Sequence, residues 1–376
     1  MALTLDEEQW LAPYFFDSVL QEQLAVEFRA GRLSADTNRI RGRIRLPDDG
    51  TIGDLPSPTS ARGLEAVAAG ANIASRGELA LLVLNGGMAT RFGGGAKGVV
   101  PVDHGVSFLG LKIIGARLLS ERYGAGVPVY LMNSMATHAA TLAHLEEYAY
   151  FGHDPSLVRP FLQNTLLRLT PEGGLFRHAD GRLSPYGPGH GDIIEAVVRS
   201  VRADMESRGT QVVQVSNVDN ALATPDPLLV GVHVLSGVEM TVEVVPNTGA
   251  DTGGGPLVVG GRLQIVEGFR LPGSFDMSSL SDFNANTFCL APSCFDRTYP
   301  LSWFVVHKTV DHCDAIQLER LAGQLSAFVP TAYCRVPRGG AGCRFSPIKD
   351  RETLQAEKGR IISTLRTRGF LPEYRP

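Results

Sequence analysis

The chain has 376 residues, 44% of them hydrophobic, enough for the buried core of one large domain with appendages or of two domains. Its formal net charge is −4, so no global basic field draws it to nucleic acid or membrane, and any anion it binds must be held by a local site. No apolar run reaches the length of a membrane span, residues 1–20 lack the basic start of a secretory signal, and the five cysteines never fall as CxxC, which predicts reduced thiols in a cytoplasmic protein.

Read in chain order, Thr4 and Glu7 make a capping-box signature ahead of a helical stretch that covers most of the first forty residues. The Pro/Gly/Asp-rich stretch 46–63 reads as a loop or linker. Continuous apolar runs then alternate with amphipathic ones: strands at 79–84, 127–132, 159–164 and 211–220, helices at 108–124, 138–151 and 192–209. That alternation predicts an α/β domain with a mostly parallel sheet. Residues 238–271 read as β-ribbon with Gly turns, inserted in or at the edge of the sheet; 315–328 reads as a helix, and a helix N-capped by Asp350 closes the chain. The expected division is 1–75 as a helical segment and linker, 76–330 as the catalytic α/β domain and 331–376 as a short C-terminal segment.

Between the first strand and its helix lies LNGGMATRFGGGAKG, residues 84–98, in which glycines surround Arg91 and Lys97. A strand, a Gly-rich turn and a helix put backbone N–H groups against phosphate. A P-loop needs Gly-Lys-Ser/Thr after its spacer, and here Lys97 follows Ala96 and precedes Gly98. GGGAKG satisfies GxGxxG but does not directly follow the strand, and the second strand ends in Asn133 where a dinucleotide site wants an acid. The spacing of His307, His312 and Cys313 is not a zinc-ligand pattern.

The longer motif resembles the signature of the UDP-sugar pyrophosphorylase family, the UTP–sugar-1-phosphate uridylyltransferases. Six further segments follow in the family's order: FLQN (161–164), PYGPGHGDIIEAV (185–197), VSNVDNALATPDP (215–227), FNANTF (283–288), HKTVD with AIQLERLAG (307–323) and CRFSPIKDRETL (343–354). Together these resemblances cover roughly residues 80–355. They imply a Rossmann-like, GT-A-like nucleotidyltransferase fold: a mixed, mostly parallel sheet with flanking helices, a β-ribbon insertion and small helical segments at both ends. The tail is too short for the C-terminal β-helix of longer members, so a short form is expected.

The implied reaction is attack of a sugar-1-phosphate oxygen on the α-phosphorus of UTP, releasing pyrophosphate, with glucose 1-phosphate the favoured acceptor. Such chemistry needs two polyanions held together and charge neutralised, with no enzyme nucleophile. The resemblance assigns Lys97, Arg91 and Lys349 to the phosphates and Asp219 to Mg²⁺, whose preference for hard oxygen suits a carboxylate beside phosphate. It assigns Gln163 to the uracil edge, with Leu84, Asn85, Gly86, Gly87 and Gly189 as further nucleotide contacts. For the sugar phosphate it offers His190, Asn217, Asn220, Asn247, Glu267, Asn286 and Lys308. Lys308 is equally a candidate for a surface pair with Asp311. The implied partners are UTP, a sugar 1-phosphate and pyrophosphate, with no nucleic acid or membrane, for a monomer or small homo-oligomer.

The pattern departs from the glucose branch in places. No lysine appears in DTGGGPLV (251–258), Arg320 stands where Thr is usual, and Arg91 is closer to the N-acetylhexosamine branch. A UDP-N-acetylhexosamine or other UDP-sugar enzyme is therefore the alternative product reading. A non-catalytic nucleotide-binding homologue and a nicotinamide oxidoreductase are the alternatives of other classes; pyrophosphate release separates them.

Overall fold

The computed structural model describes residues 3–249, 253–340 and 342–371. Helices α1 (Leu5–Leu11) and α2 (Ser18–Arg29) come first, and Thr4 and Glu7 do close the capping box. A two-residue strand β1 (Gly53–Asp54) and helix α3 (Ala61–Ser75) precede the alternating run. That run is β2 (Leu79–Leu84), α4 (Phe108–Tyr123), β3 (Val129–Asn133), α5 (Met135–Glu147), β4 (Val158–Leu162), α6 (Ile193–Ser200), α7 (Arg202–Ser207), β5 (Val212–Asn217) and α8 (Pro227–Ser236). The second half adds β6 (Met240–Pro246), β7 (Gly255–Val259), β8 (Arg262–Val266), β9 (Asp282–Leu290), β10 (Phe304–Val310), β11 (Cys313–Glu319), β12 (Thr331–Arg335) and α9 (Arg351–Thr367).

Eight strands form the central sheet in the order β1-β12-β6-β9-β5-β2-β3-β4. All neighbouring pairs are parallel except those made by β9, which runs against β5 and β6. Residues on both sides of the expected boundaries at 75 and 330 share this sheet, through β1 and β12. Strand β2 shows why the sheet is buried on two faces: Leu79, Leu81 and Val83 join one apolar layer with Ile73, Phe108, Leu229 and Ile361. Ala80, Leu82 and Leu84 join the opposite layer with Ile193, Val197, Met205 and Leu325. Alternate residues of one strand therefore supply both cores.

Two expectations are corrected. Residues 315–328 are not a helix: β11 pairs with β10 as a hairpin closed by Asp311 and His312, both in the left-handed region (φ 50° and 63°). The other edge of β11 is claimed as well, by exchanged backbone bonds between Ile316 and Leu169 and by the Tyr186 hydroxyl at Leu318. Tertiary pairing thus overrides local helix propensity, and only a 3₁₀ turn (Ala322–Ala327) follows. Residues 240–246 are an inner strand, not ribbon at an edge. Thr241 and Glu243 mimic a solvated face, yet both are buried, Thr241 beside His233 and Glu243 on Arg344. The ribbon proper is β7–β8, turning at Gly260 and Gly261.

Candidate active site

Open parallel sheets bind ligands beyond the carboxyl ends of their strands. Here β2, β4 and β5 deliver Leu84, Gln163 and Asn217 to one cleft of about 330 Å³, whose lining also includes Gly86, Gly87, Lys97, Gly187, Gly189, His190, Asp219 and Glu319. The glycine loop folds back on itself: Ala89 donates to Gly95, Gly94 to Ala89, and Lys97 to the carbonyl of Gly87 (3.0 Å). Gly93, Gly94 and Gly95 all have positive φ (99°, 105° and 80°), a path side chains would resist. Phe92 anchors the loop in the core against Phe108, and its carbonyl accepts two bonds from Arg351 at the start of α9.

At one end, Lys97 Nζ lies 2.5 Å from Asp219 Oδ2. Lys349 is exposed and follows Ile348, whose N–H donates to the carbonyl of Asp219 (3.1 Å). Arg91 is exposed on the glycine loop. Asp350 is held below the usual carboxylate range by its bonds from Thr353, with the charges of Arg91 and Lys97 adding to the effect, so two of the cations bear on this edge and Lys349 is next to Asp350 in the chain.

At the opposite end, Gln163 is only 5% exposed, and no side-chain partner for it exists among the described residues. A Cβ on Gly187 would sit 1.9 Å from its Nε2, and one on Gly86 2.6 Å away. Two glycines thus clear the space in which this carboxamide stands free. The loop beside it is clipped by Arg320: its N–H donates to Pro188 and its carbonyl accepts from Gly191, both at 2.8 Å. The Arg320 guanidinium binds Asp192 and Glu195 and lies over Trp303, which gives this arginine a bracing role.

His190 Nδ1 accepts from the N–H of Ala322 (3.0 Å), leaving Nε2–H as a donor, and burial lowers its pKa to about 4. Burial does the same for His233. Both rings are neutral when folded and return to the ordinary value near 6.5 when unfolded, so unfolding takes up protons between about pH 4 and 6.5. Stability therefore falls as pH drops through that window, by up to ~1.4 kcal/mol per pH unit for each proton. Calorimetric unfolding at pH 5.5 in buffers of different ionisation enthalpy should show about one proton less taken up by His233→Gln than by the wild type; an unchanged uptake would contradict the neutral ring.

A polar chain flanks the cleft. Asn286 (φ 49°) donates Nδ2 to Asn217 Oδ1 (2.9 Å) and its N–H to Asn284 Oδ1, while Asn284 donates to Glu267 (3.2 Å), whose pKa burial raises. Asn286 Oδ1 is buried without a partner. Other expected residues turn elsewhere. Asn220 Oδ1 takes the N–H of Ser346 and Asn247 bonds back to Leu280; for Asn85 the expected contact is by its backbone, and its side chain bonds Asn133 and Thr141. Lys308 lies 3.9 Å from Glu319 rather than at Asp311, which is bound to His178. Residues 251 and 252 of the lysine-free stretch lie outside the described residues. Glu319 was missed as a cleft residue although its motif was read, because 315–328 was expected to be helical.

Among the described residues no three His, Cys, Asp or Glu side chains cluster as a metal cage, and no helix is long and apolar enough to cross a membrane.

Known proteins bear on this geometry. The model of a family described as UTP–glucose-1-phosphate uridylyltransferase matches residues 57–364. The Solanum tuberosum enzyme of that name is 32% identical over 289 residues, 72% of this chain and 59% of its own, and the Musa acuminata enzyme is 30% identical over 84% and 69%. The chain thus spans about three fifths of the potato relative. Among solved structures, a UDP-N-acetylglucosamine pyrophosphorylase from Trypanosoma brucei superposes with a TM-score of 0.76 at 19% identity, over 98% of this chain and 86% of that one. A mutant UDP-glucose pyrophosphorylase from Leishmania major, in complex with UDP-glucose, gives 0.66 at 25%, over 83% and 70%. With that family model matching most of its length and several of its motifs lining one cleft, the chain belongs to the UTP–glucose-1-phosphate uridylyltransferase family.

Proposed function

We propose that the chain transfers the uridylyl group of UTP to a sugar 1-phosphate, with glucose 1-phosphate preferred, and releases pyrophosphate. The observation that carries this reading is one cleft with a free carboxamide, Gln163, at one end and the Lys97–Asp219 pair at the other. A carboxamide donates and accepts at once, as the N3–H and carbonyl edge of uracil requires. The names of the curated relatives and the UDP-glucose in the Leishmania complex support the same substrates.

In the reaction a phosphate oxygen of the sugar phosphate forms a bond to the α-phosphorus as the bond to the bridging oxygen of the β-phosphate breaks. Lys97, Arg91 and Lys349 neutralise the leaving pyrophosphate, and the glycine-loop amides orient the chain of phosphates. On this reading Nε2–H of His190 and the acceptors Asn286 and Glu267 bind the sugar phosphate and its hydroxyls; His190 lines the cleft, and Asn286 is joined to it through Asn217. Mg²⁺ fits this site as an ion held by one carboxylate, Asp219, together with substrate phosphates, since a dedicated cage is not what it needs. When bound it supplies charge neutralisation at the phosphates. The five cysteines are free thiols, which supports a reducing, cytoplasmic setting.

Pyrophosphate release with UTP and Mg²⁺ against glucose, galactose, N-acetylglucosamine, glucuronate and xylose 1-phosphates tests the proposal. Turnover with glucose 1-phosphate foremost is expected; nucleotide binding without release for any sugar would overturn it. Gln163→Ala should raise KM for UTP by roughly 10–100-fold, the worth of one or two hydrogen bonds. Gly187→Ala should do likewise, because its methyl displaces the carboxamide. An unchanged KM in both would remove Gln163 from the base site.

A further inference from the structure

We propose that Lys112 is a built-in cation that positions the Asp219 loop for the reaction. Lys112 lies in the first part of α4 and is 1% exposed. Its ammonium donates to the carbonyls of Asn220 and Ala223, both at 2.7 Å, and to Ser216 Oγ at 3.1 Å. Three acceptors match three N–H bonds, yet none is a carboxylate. Burial without a carboxylate partner lowers the Lys112 pKa to about 7, an effect that the nearby Asp219 charge opposes, so the ammonium form leans on these three acceptors and on the carboxylate beyond them.

What it holds is the turn between β5 and α8. Around Lys112, the carbonyl of Leu222 accepts from Arg368 (3.1 Å) and that of Thr224 from Arg344 (3.0 Å). The carbonyls of residues 220, 222, 223 and 224 thus all end on cations from three separate parts of the chain. Asp219 directly precedes this turn and faces the other way, into the cleft. Lys112 reaches the first of these carbonyls and, through Ser216, the end of β5, so it spans the residue that presents the carboxylate. It touches no cleft atom itself and acts through Asp219.

The inference rests on the reading of Asp219 as a substrate-facing group, and its test carries readouts that survive failure of that reading. Lys112→Met keeps most of the length of the side chain and removes the charge and its donors. In the folded variant, amide hydrogen exchange should quicken in residues 217–224, and Mn²⁺ binding in the presence of UTP, followed by electron paramagnetic resonance, should weaken about tenfold. Where the wild type releases pyrophosphate, kcat should fall by about 10²-fold, the scale of a small misplacement at a reacting centre, with KM for UTP nearly unchanged. Lys112→Ala with added ethylammonium should recover part of both. A Lys112→Met protein that is merely less stable, with exchange in the turn, Mn²⁺ affinity and kcat unchanged, overturns the proposal. If neither Lys112 variant folds, Ser216→Ala removes a single acceptor: a several-fold loss of Mn²⁺ affinity at unchanged unfolding supports the clamp, and unchanged affinity refutes it. A wild type that binds Mn²⁺ and UTP but releases no pyrophosphate would sink the proposed function while leaving these binding and exchange results in force.

Discussion

Asp219→Asn and Asp219→Ala should each lower pyrophosphate release by on the order of 10²–10³-fold, the usual range for removing one electrostatic stabiliser of a developing charge. The asparagine variant decides the cause, because it keeps the shape at the end of β5 and removes only the charge. In the free protein the carboxylate neutralises Lys97, with the two side chains 20% and 15% exposed. An incoming polyphosphate offers Lys97 a second anion, and under the proposed function an Asp219 carboxylate released from Lys97 would be free to hold Mg²⁺. If Asp219 acts by holding the metal, raising Mg²⁺ should recover part of the activity of Asp219→Asn. Lys97→Met should cost a comparable factor, and the double variant Lys97→Met/Asp219→Asn less than the product, since residues in direct contact couple. Losses that multiply would show that the pair acts at separate steps. Full activity of Asp219→Asn would remove Asp219 from the chemistry.

The sheet was legible where each strand obeys one simple rule. LALLVL is apolar at every position because both faces are covered, and the structure places that strand at Leu79–Leu84 as read. It was illegible where a buried polar residue imitates a solvated one. Glu243 in the middle of β6 suggests an exposed ribbon until Arg344, about a hundred residues later, is seen to neutralise it. Strand β11 failed for the complementary reason: beyond its hairpin with β10, its other edge is claimed by Leu169 and Tyr186, which no local pattern reports. The cleft was legible through its motifs, whose order places Gln163, His190, Asp219 and Lys97 in one chemistry. Lys112 was not, because a lysine on an apolar helix face carries no local sign of the carbonyls it meets.

Arg344→Met should destabilise the fold by about 3–5 kcal/mol, the typical cost of removing one partner of a buried ion pair. Arg344 is 1% exposed, binds both oxygens of Glu243 at 2.9 Å, and reaches Asp226 and Thr224 as well. Its loss leaves Glu243, 0% exposed in the central sheet, as an uncompensated buried charge. Asp226 suffers less, because Arg368 still holds it at 3.1 Å. The cost is thus mainly Glu243's desolvation, and the double variant Arg344→Met/Glu243→Leu should recover much of it, since apolar side chains can replace a buried pair at little net cost. Urea unfolding of the three proteins measures this directly. If the double variant is as unstable as Arg344→Met alone, the lost stability lies instead in the bonds to Thr224 and Asp226, and the arginine serves the turn beside Asp219 more than the strand. If Arg344→Met is harmless, water must reach Glu243, and the sheet is looser at that strand than its burial implies.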